Sequence, residues 1–234
     1  ALLNFRANAG VLNASGDEWR DQRRLALMIM RDYGMGKNRM EQLVHESIEE
    51  YLEWLRTLEG KPSVNLRWPI QMIISNIINQ TLFGFRFRHD DCDELKEYVE
   101  GVNELLRGFA ASPWLFMAFN FPWLKRIPVV RYWAVTRHTD IMDRLRDFVS
   151  KHVKEALADF DPLHDEPACF VHEYATRMPR DAALTIDQLH ATVHDLLLNA
   201  QETTSATMRW SMIYVAEHQD VQNRVREEIL SAVG

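Results

Sequence analysis

From Thr185 to Val215 the chain runs without a proline or a glycine, and this uninterrupted stretch most constrains what can fold around it. Val193, Leu196, Leu197, Ala200, Thr203, Thr207 and Trp210 recur at three- and four-residue steps, the spacing of one helix face. Thr185 is a capping residue with Gln188 three positions on, so the two can exchange backbone hydrogen bonds, and Leu184 and Leu189 occupy the staple positions. Unbroken, the helix covers about 30 residues, roughly 45 Å at ~1.5 Å per residue. Helices in globular proteins average roughly 10–14 residues. A helix this long, polar at its middle, predicts the axis of a large domain.

The remaining sequence repeats the helical pattern. With only 8 Pro and 9 Gly in 234 residues, breakers are sparse, and strand signals are nearly absent. The spacing predicts helices over Asp17–Met30, Asn38–Leu58, Trp68–Phe83, Cys92–Phe109, Val130–Asp159 and Phe170–Met178, with a last one from Asp220 to the end. Met72, Ile73, Ile74, Ile77, Ile78 and Leu82 make the third nearly apolar all round, as in a helix buried on most sides. Residues 109–135 are dense in aromatics, hold no acidic residue and are broken by Pro113, Pro122 and Pro128. Such bulk fills a core, lines a cavity or touches a membrane interface.

Charge and cysteine content exclude several classes. A net charge of -7 disfavours general nucleic-acid binding, which needs concentrated positive charge. The charge is uneven: residues 17–39 hold 6 Lys/Arg against 4 Asp/Glu, and residues 41–59 hold 6 Glu against one Arg. A locally basic face on an acidic chain suits an acidic partner. Cys92 and Cys169 are the only cysteines, so neither a disulfide framework nor a multi-thiolate metal cluster is implied. No run of 18 apolar residues and no signal-peptide pattern occurs. Ala1 lies inside an apolar stretch and Gly234 directly follows a charged helical pattern, so both termini read as cuts within a longer chain.

Three groupings carry possible chemistry. Asn199-Ala200-Gln201-Glu202-Thr203-Thr204-Ser205 places weak helix formers inside a well-formed helix. Thr203 can bond back to the Asn199 carbonyl and loosen that turn, and a hydroxyl beside a carboxylate can pass protons. Trp19 and Arg23, one turn apart, present an indole N–H and a guanidinium on one face, a geometry suited to a carboxylate or phosphate. His190 and His194 are four apart but lack a third ligand, so a zinc site is not supported. Gly34-Met35-Gly36 is a turn rather than a phosphate loop, and no nucleophile elbow exists.

In order along the chain, these motifs resemble the cytochrome P450 family, most closely its animal microsomal members acting on drugs, steroids and fatty acids. Trp19 and Arg23 resemble that family's W-x-x-x-R helix. Arg31-Asp32-Tyr33-Gly34-Met35-Gly36-Lys37 resembles its R-D-F-G-M-G-K stretch. Asn76-Ile77-Ile78 followed by Phe83-Gly84-Phe85-Arg86-Phe87 resembles N-V-I…F-G-x-R-F. Asn199-Ala200-Gln201-Glu202-Thr203-Thr204 occupies the place of [AG]-G-x-[DE]-T-T, with Asn199 where the family has a small residue and Ala200 where it has glycine.

The resemblance implies a mainly α cytochrome P450 fold, present as one incomplete domain over residues 1–234. It implies haem b, with electrons from NADPH through a reductase, and a monooxygenase that inserts one atom of O2 into an apolar organic substrate. Trp19 and Arg23 would hold a haem propionate, Ala200 and Thr203 would line the distal pocket, Glu202 would support proton delivery, and Asn199 would contact substrate. NADPH-cytochrome P450 reductase, and in some members cytochrome b5, would dock on the helix carrying Arg20 and Arg24. Residues 109–135 would meet substrate or membrane, at the cytosolic face of the endoplasmic reticulum. Two features depart from the family. Neither Cys92 nor Cys169 lies in the Gly- and Phe-rich loop that supplies the iron's thiolate, and Glu53-Trp54-Leu55-Arg56 matches the E-x-x-R letters in the wrong helix. The chain by itself is therefore expected to be inactive, and the alternative is a non-catalytic truncated helical protein, a decoy or partner-binding module.

Overall fold

The computed structural model describes residues 9–12, 14–32, 38–60, 65–88, 91–113, 117, 121–128, 132 and 137–234. Eight α-helices lie among them: α1 Gly16–Asp32, α2 Asn38–Arg56, α3 Arg67–Phe83, α4 Asp93–Ala111, α5 Arg137–Leu157, α6 Phe170–Arg177, α7 Ile186–Glu217 and α8 Gln219–Val233. Short 3-10 turns occupy Pro122–Arg126 and Met178–Arg180. Among the described residues no strand forms; an isolated antiparallel bridge joins Arg88 and Asp91. The mainly α class expected from the periodicity is the class observed.

The long helix is continuous over 32 residues. Thr185 caps it as its sequence predicts, its side chain accepting the Gln188 N–H at 3.3 Å. Gln188 does not reach back to complete the box. Its Oε1 accepts the Gly10 N–H at 3.0 Å, 178 residues away in sequence. At the end of α3, Gly84 adopts φ 85°, the left-handed cap that glycine takes without a Cβ penalty, and its N–H bonds to the Asn79 and Gln80 carbonyls.

α7 runs along α3, α5 lies against α4, and α6 sits beneath α1, α3, α5 and α7. The main core joins Ile29 of α1, Leu82 and Phe83 of α3, Val102 and Leu105 of α4, and Leu145, Val149 and Val153 of α5. Phe170 and Tyr174 of α6 and Leu189, Val193 and Leu197 of α7 complete it. Tyr51 of α2 packs with Ile70 and Ile74 of α3, and Met208 and Met212 of α7 close over them. α4 and α5 approach closely because α4 carries Gly101 and Gly108 where α5 presents Leu145 and His138. The Cys92–Phe109 expectation is met within two residues. The helix predicted from Val130 is described only from Arg137, and much of the Pro-punctuated segment lies outside the described residues. Of that segment, Phe121, Trp123 and Tyr132 are exposed.

Candidate functional site

The polar stretch of α7 faces α3 through hydrogen bonds that local sequence does not specify. Glu202 Oε2 accepts from Gln71 Nε2 at 2.8 Å, and Glu202 Oε1 accepts from Arg209 Nη2 at 2.9 Å. Gln201 Nε2 donates to Ser75 Oγ at 2.8 Å, and Ser75 in turn donates to the Gln71 carbonyl. The Glu202 carboxylate is therefore engaged on both oxygens: the Gln71 bond ties α3 to α7, and the mostly buried ion pair with Arg209 lies within α7. Thr203 Oγ1 donates to the Asn199 carbonyl at 2.6 Å, the back-bond its position predicts, yet the helix stays continuous through it. Thr203 is exposed, and Thr207 repeats the same bond to the Thr203 carbonyl. Asn199 turns its amide back along the helix, Nδ2 donating to the Asp195 carbonyl at 2.6 Å. Ala200 is half-buried between these groups.

Trp19 and Arg23 do meet on α1: the guanidinium carbon lies 5.6 Å from the indole centroid, a cation–π distance. The indole Nε1 is already committed to the Val11 carbonyl at 3.1 Å. The turn at residues 10–12 is clamped to α7 by Asp195, whose Oδ2 accepts the Val11 and Leu12 N–H groups at 2.8 and 2.9 Å. Gly10 in this turn has φ 77°, and a Cβ there would stand 2.3 Å from Asp195 Oδ2. The cleft beside Trp19 and Arg23, about 490 Å3, is lined by α1 alone, with Arg20, Arg24, Leu27, Met28, Arg31 and Asp32. The structure thus pairs Trp19 with Arg23, and Glu202 with Gln71 and Arg209. Thr203 is not among the residues lining the cleft beside Trp19 and Arg23.

Three further residues, Gln71, Gln188 and Asp195, tie distant segments together. A signal for Gln71 was present: Gln71, Ser75 and Asn79 recur every four residues along an otherwise apolar helix, which marks a polar seam. For Gln188 the local spacing signals only half of a cap. For Asp195 no local signal distinguishes a carboxylate that staples a distant turn from a solvated one.

The donor set does not fit a haem-thiolate centre. A thiolate ligand must be deprotonated and must face the metal. Cys92 is buried among Met72, Leu95 and Val99. Cys169 is wholly buried at the start of α6, and burial pushes its thiol pKa up, away from the thiolate. Among the described residues no group of three or more His, Cys, Asp or Glu is placed to hold a metal ion. His190 shares Nδ1 with Ser150 Oγ at 3.1 Å, and burial lowers its pKa. The expectations of haem b, of haem and iron binding, and of oxygen insertion by a haem-thiolate monooxygenase are therefore corrected for this chain: both cysteines are buried, and among the described residues no metal-holding group forms. The inactivity expected of the chain by itself has this same physical origin.

The family model for cytochrome P450 matches residues 2–234. Cytochrome P450 2J5 of Mus musculus is 31% identical over 236 residues, covering 96% of this chain and 44% of that relative. Cytochrome P450 2F3 of Capra hircus and 2F1 of Homo sapiens are each 31% identical over 242 residues, covering 100% of this chain and 47% of their own length. The chain thus spans somewhat under half the length of these curated relatives. The match extends over practically every residue, and the helices carrying the Trp19/Arg23 and Glu202/Thr203 motifs follow one another in the order the motifs imply; the chain belongs to the cytochrome P450 family.

Proposed function

We propose that this chain is a non-catalytic partner-binding module of the cytochrome P450 family, docking an acidic protein through the basic face of α1. The observation that carries this reading is the row of exposed guanidiniums on that helix. Arg20, Arg23, Arg24 and Arg31 all border the cleft beside Trp19. Among the described residues only Arg20 has an ion-pair partner there, Asp17 at 2.9 Å, and both members are largely exposed, so the pair is worth little. Four fixed positive charges on one face of a chain with net charge -7 favour encounter with a negative surface.

The resemblance supplies the partner: NADPH-cytochrome P450 reductase, with cytochrome b5 as a second acidic candidate, at the cytosolic face of the endoplasmic reticulum. Among the described residues no helix is long and apolar enough to cross a membrane. Without an iron ligand, occupation of the reductase would be unproductive, so the module would act as a decoy that competes with complete family members.

The test is association with the purified reductase, followed by biolayer interferometry over a salt series. Binding should weaken steeply with ionic strength, and Arg20→Glu/Arg24→Glu should lower the association rate about tenfold while flattening the salt dependence. Salt-independent binding, or a rate unchanged by the double reversal, would remove the basis of the proposal.

A further inference from the structure

His152 of α5 is buried, its side chain only 5% exposed, yet both of its ring nitrogens face carboxylates. Nδ1 stands 2.7 Å from Glu155 Oε2 on its own helix, and Nε2 stands 3.5 Å from Glu94 Oε1 of α4. Four phenyl rings pack around the imidazole. Their centroids lie 4.5 Å (Phe148), 4.8 Å (Phe85), 5.7 Å (Phe83) and 5.8 Å (Phe87) from its own. Asn76 of α3 pins the segment carrying Phe85 and Phe87, because its amide exchanges two hydrogen bonds with the Phe87 backbone, at 2.9 and 3.0 Å. The two carboxylates sit on opposite ring nitrogens, so the three groups do not converge on a metal ion.

An ionised carboxylate only accepts hydrogen bonds, and a neutral imidazole has one N–H and one lone pair. With its proton on Nδ1 for Glu155, a neutral ring turns the Nε2 lone pair toward the Glu94 oxygen, and Nε2 makes no hydrogen bond in the structure. Glu94 also takes the Lys151 ammonium on Oε2 at 2.6 Å, a bond that raises the Lys151 pKa and is of the kind an anionic carboxylate makes. Only the imidazolium has a proton for each carboxylate. Burial opposes a charge on the ring, while two anions and aromatic rings within about 6 Å favour it.

The charged groups facing the ring are Glu94 from α4 and Lys151 and Glu155 from α5. They leave one negative charge in excess when the ring is neutral and none when it is charged. Arg86, between Phe85 and Phe87, points instead to Ser47 and Glu50 of α2. His172 of α6 and His190 of α7 are bonded elsewhere on α5, at the Ala156 carbonyl and Ser150 Oγ.

We infer that His152 is a proton-operated latch: charged, it ties α4 to α5 through Glu94 inside a cage of phenyl rings, and on losing its second proton it lets that tie go. Histidine is the side chain whose ordinary charge change falls between about pH 5 and 8. Because the folded cage favours the charged ring, the stability it contributes is full at the acid end of that range and is lost as pH rises. A histidine buried neutral would give the opposite sign. The latch is enclosed and remote from the basic face of α1, so it does not depend on how that face is used.

Two measurements on the purified chain test the inference. The first is the melting temperature of wild type, His152→Phe and Glu94→Gln across about pH 5.5 to 8.5. His152→Phe fills the cage without a charge, and Glu94→Gln offers a neutral Nε2 an amide N–H. Other histidines titrate alike in all three proteins, so the difference from wild type isolates the latch. Wild type should lose several degrees relative to either variant as pH rises. A flat difference overturns the inference, as does a wild type that gains on the variants with rising pH. Glu94 is partly exposed, so Glu94→Gln decides the matter if His152→Phe does not fold. The second measurement is an NMR titration of the His152 ring, assigned by its loss in His152→Phe or by its shift in Glu94→Gln. The backbone amides of Glu94 and Phe87, on two other elements, should move with the midpoint of that ring. A ring already neutral at the acid end, or amides that ignore its titration, would remove the latch.

Discussion

At the scale of single residues, the sharpest structural demand falls on Gly10. Its φ of 77° and the 2.3 Å approach to Asp195 Oδ2 leave no room for any side chain. Two backbone N–H groups terminate on that carboxylate, which is almost wholly buried. Gly10→Ala should therefore destabilise the fold by about 2–4 kcal/mol through strain and loss of the turn. Asp195→Ala should cost about as much by leaving those donors unpaired. Because both changes break one contact, the double variant should lose much less than their sum, a shortfall of about 1–3 kcal/mol in a denaturation cycle; additive losses would show that the turn and the helix are not coupled. Residue-level features that depend on helical spacing were legible beforehand. Thr203 bonds to the Asn199 carbonyl as predicted, and Arg23 lies over the Trp19 ring as an i,i+4 pair should. The partners of Gln188 and Asp195 were not legible, because they lie 178 and 184 residues away and no local pattern encodes them.

At the scale of elements, helix identity follows from periodicity, while helix spacing follows from a few small residues. α4 and α5 can pack closely because Gly108 has no Cβ; one built there would lie 2.0 Å from His138 Nε2. His138 is itself largely buried, with its ring 6.2 Å from that of Phe109. Gly108→Ala should thus destabilise by about 1–3 kcal/mol through overpacking. Adding His138→Ala should return part of that loss by vacating the space, measured as a rise in melting temperature over the single variant; no recovery would mean the helices separate rather than clash. The α3–α7 pair is held differently. Its polar seam of Gln71, Ser75, Gln201 and Glu202 lies beside the apolar contacts and fixes the register of the two helices. The Glu202 carboxylate, which the family resemblance would assign to proton delivery, bonds to Gln71 on α3 and to Arg209 on its own helix.

At the scale of the whole molecule, burial is graded from one end to the other. Leu189, Val193 and Leu197 in the first half of α7 are almost wholly buried, Trp210 and Tyr214 further along are exposed, and α8 has no buried residue. Local opening free energy should follow the same gradient. The amides of α8 should exchange with solvent orders of magnitude faster than those between Leu189 and Leu197. Uniform protection along both helices would contradict this grading. The sequence by itself determined which segments are helical, where the long helix starts, which faces are apolar and to which family the order of motifs points. All of these are written in spacings of three, four and seven residues, or in short words read along the chain. Only the tertiary structure decided what the polar side chains do: that Glu202 is clasped by Gln71, that Asp195 staples a turn from the other end of the chain, and that both cysteines are buried. Those outcomes depend on which surfaces meet after the chain has crossed itself, and a buried group takes whichever partner packing brings within about 3 Å.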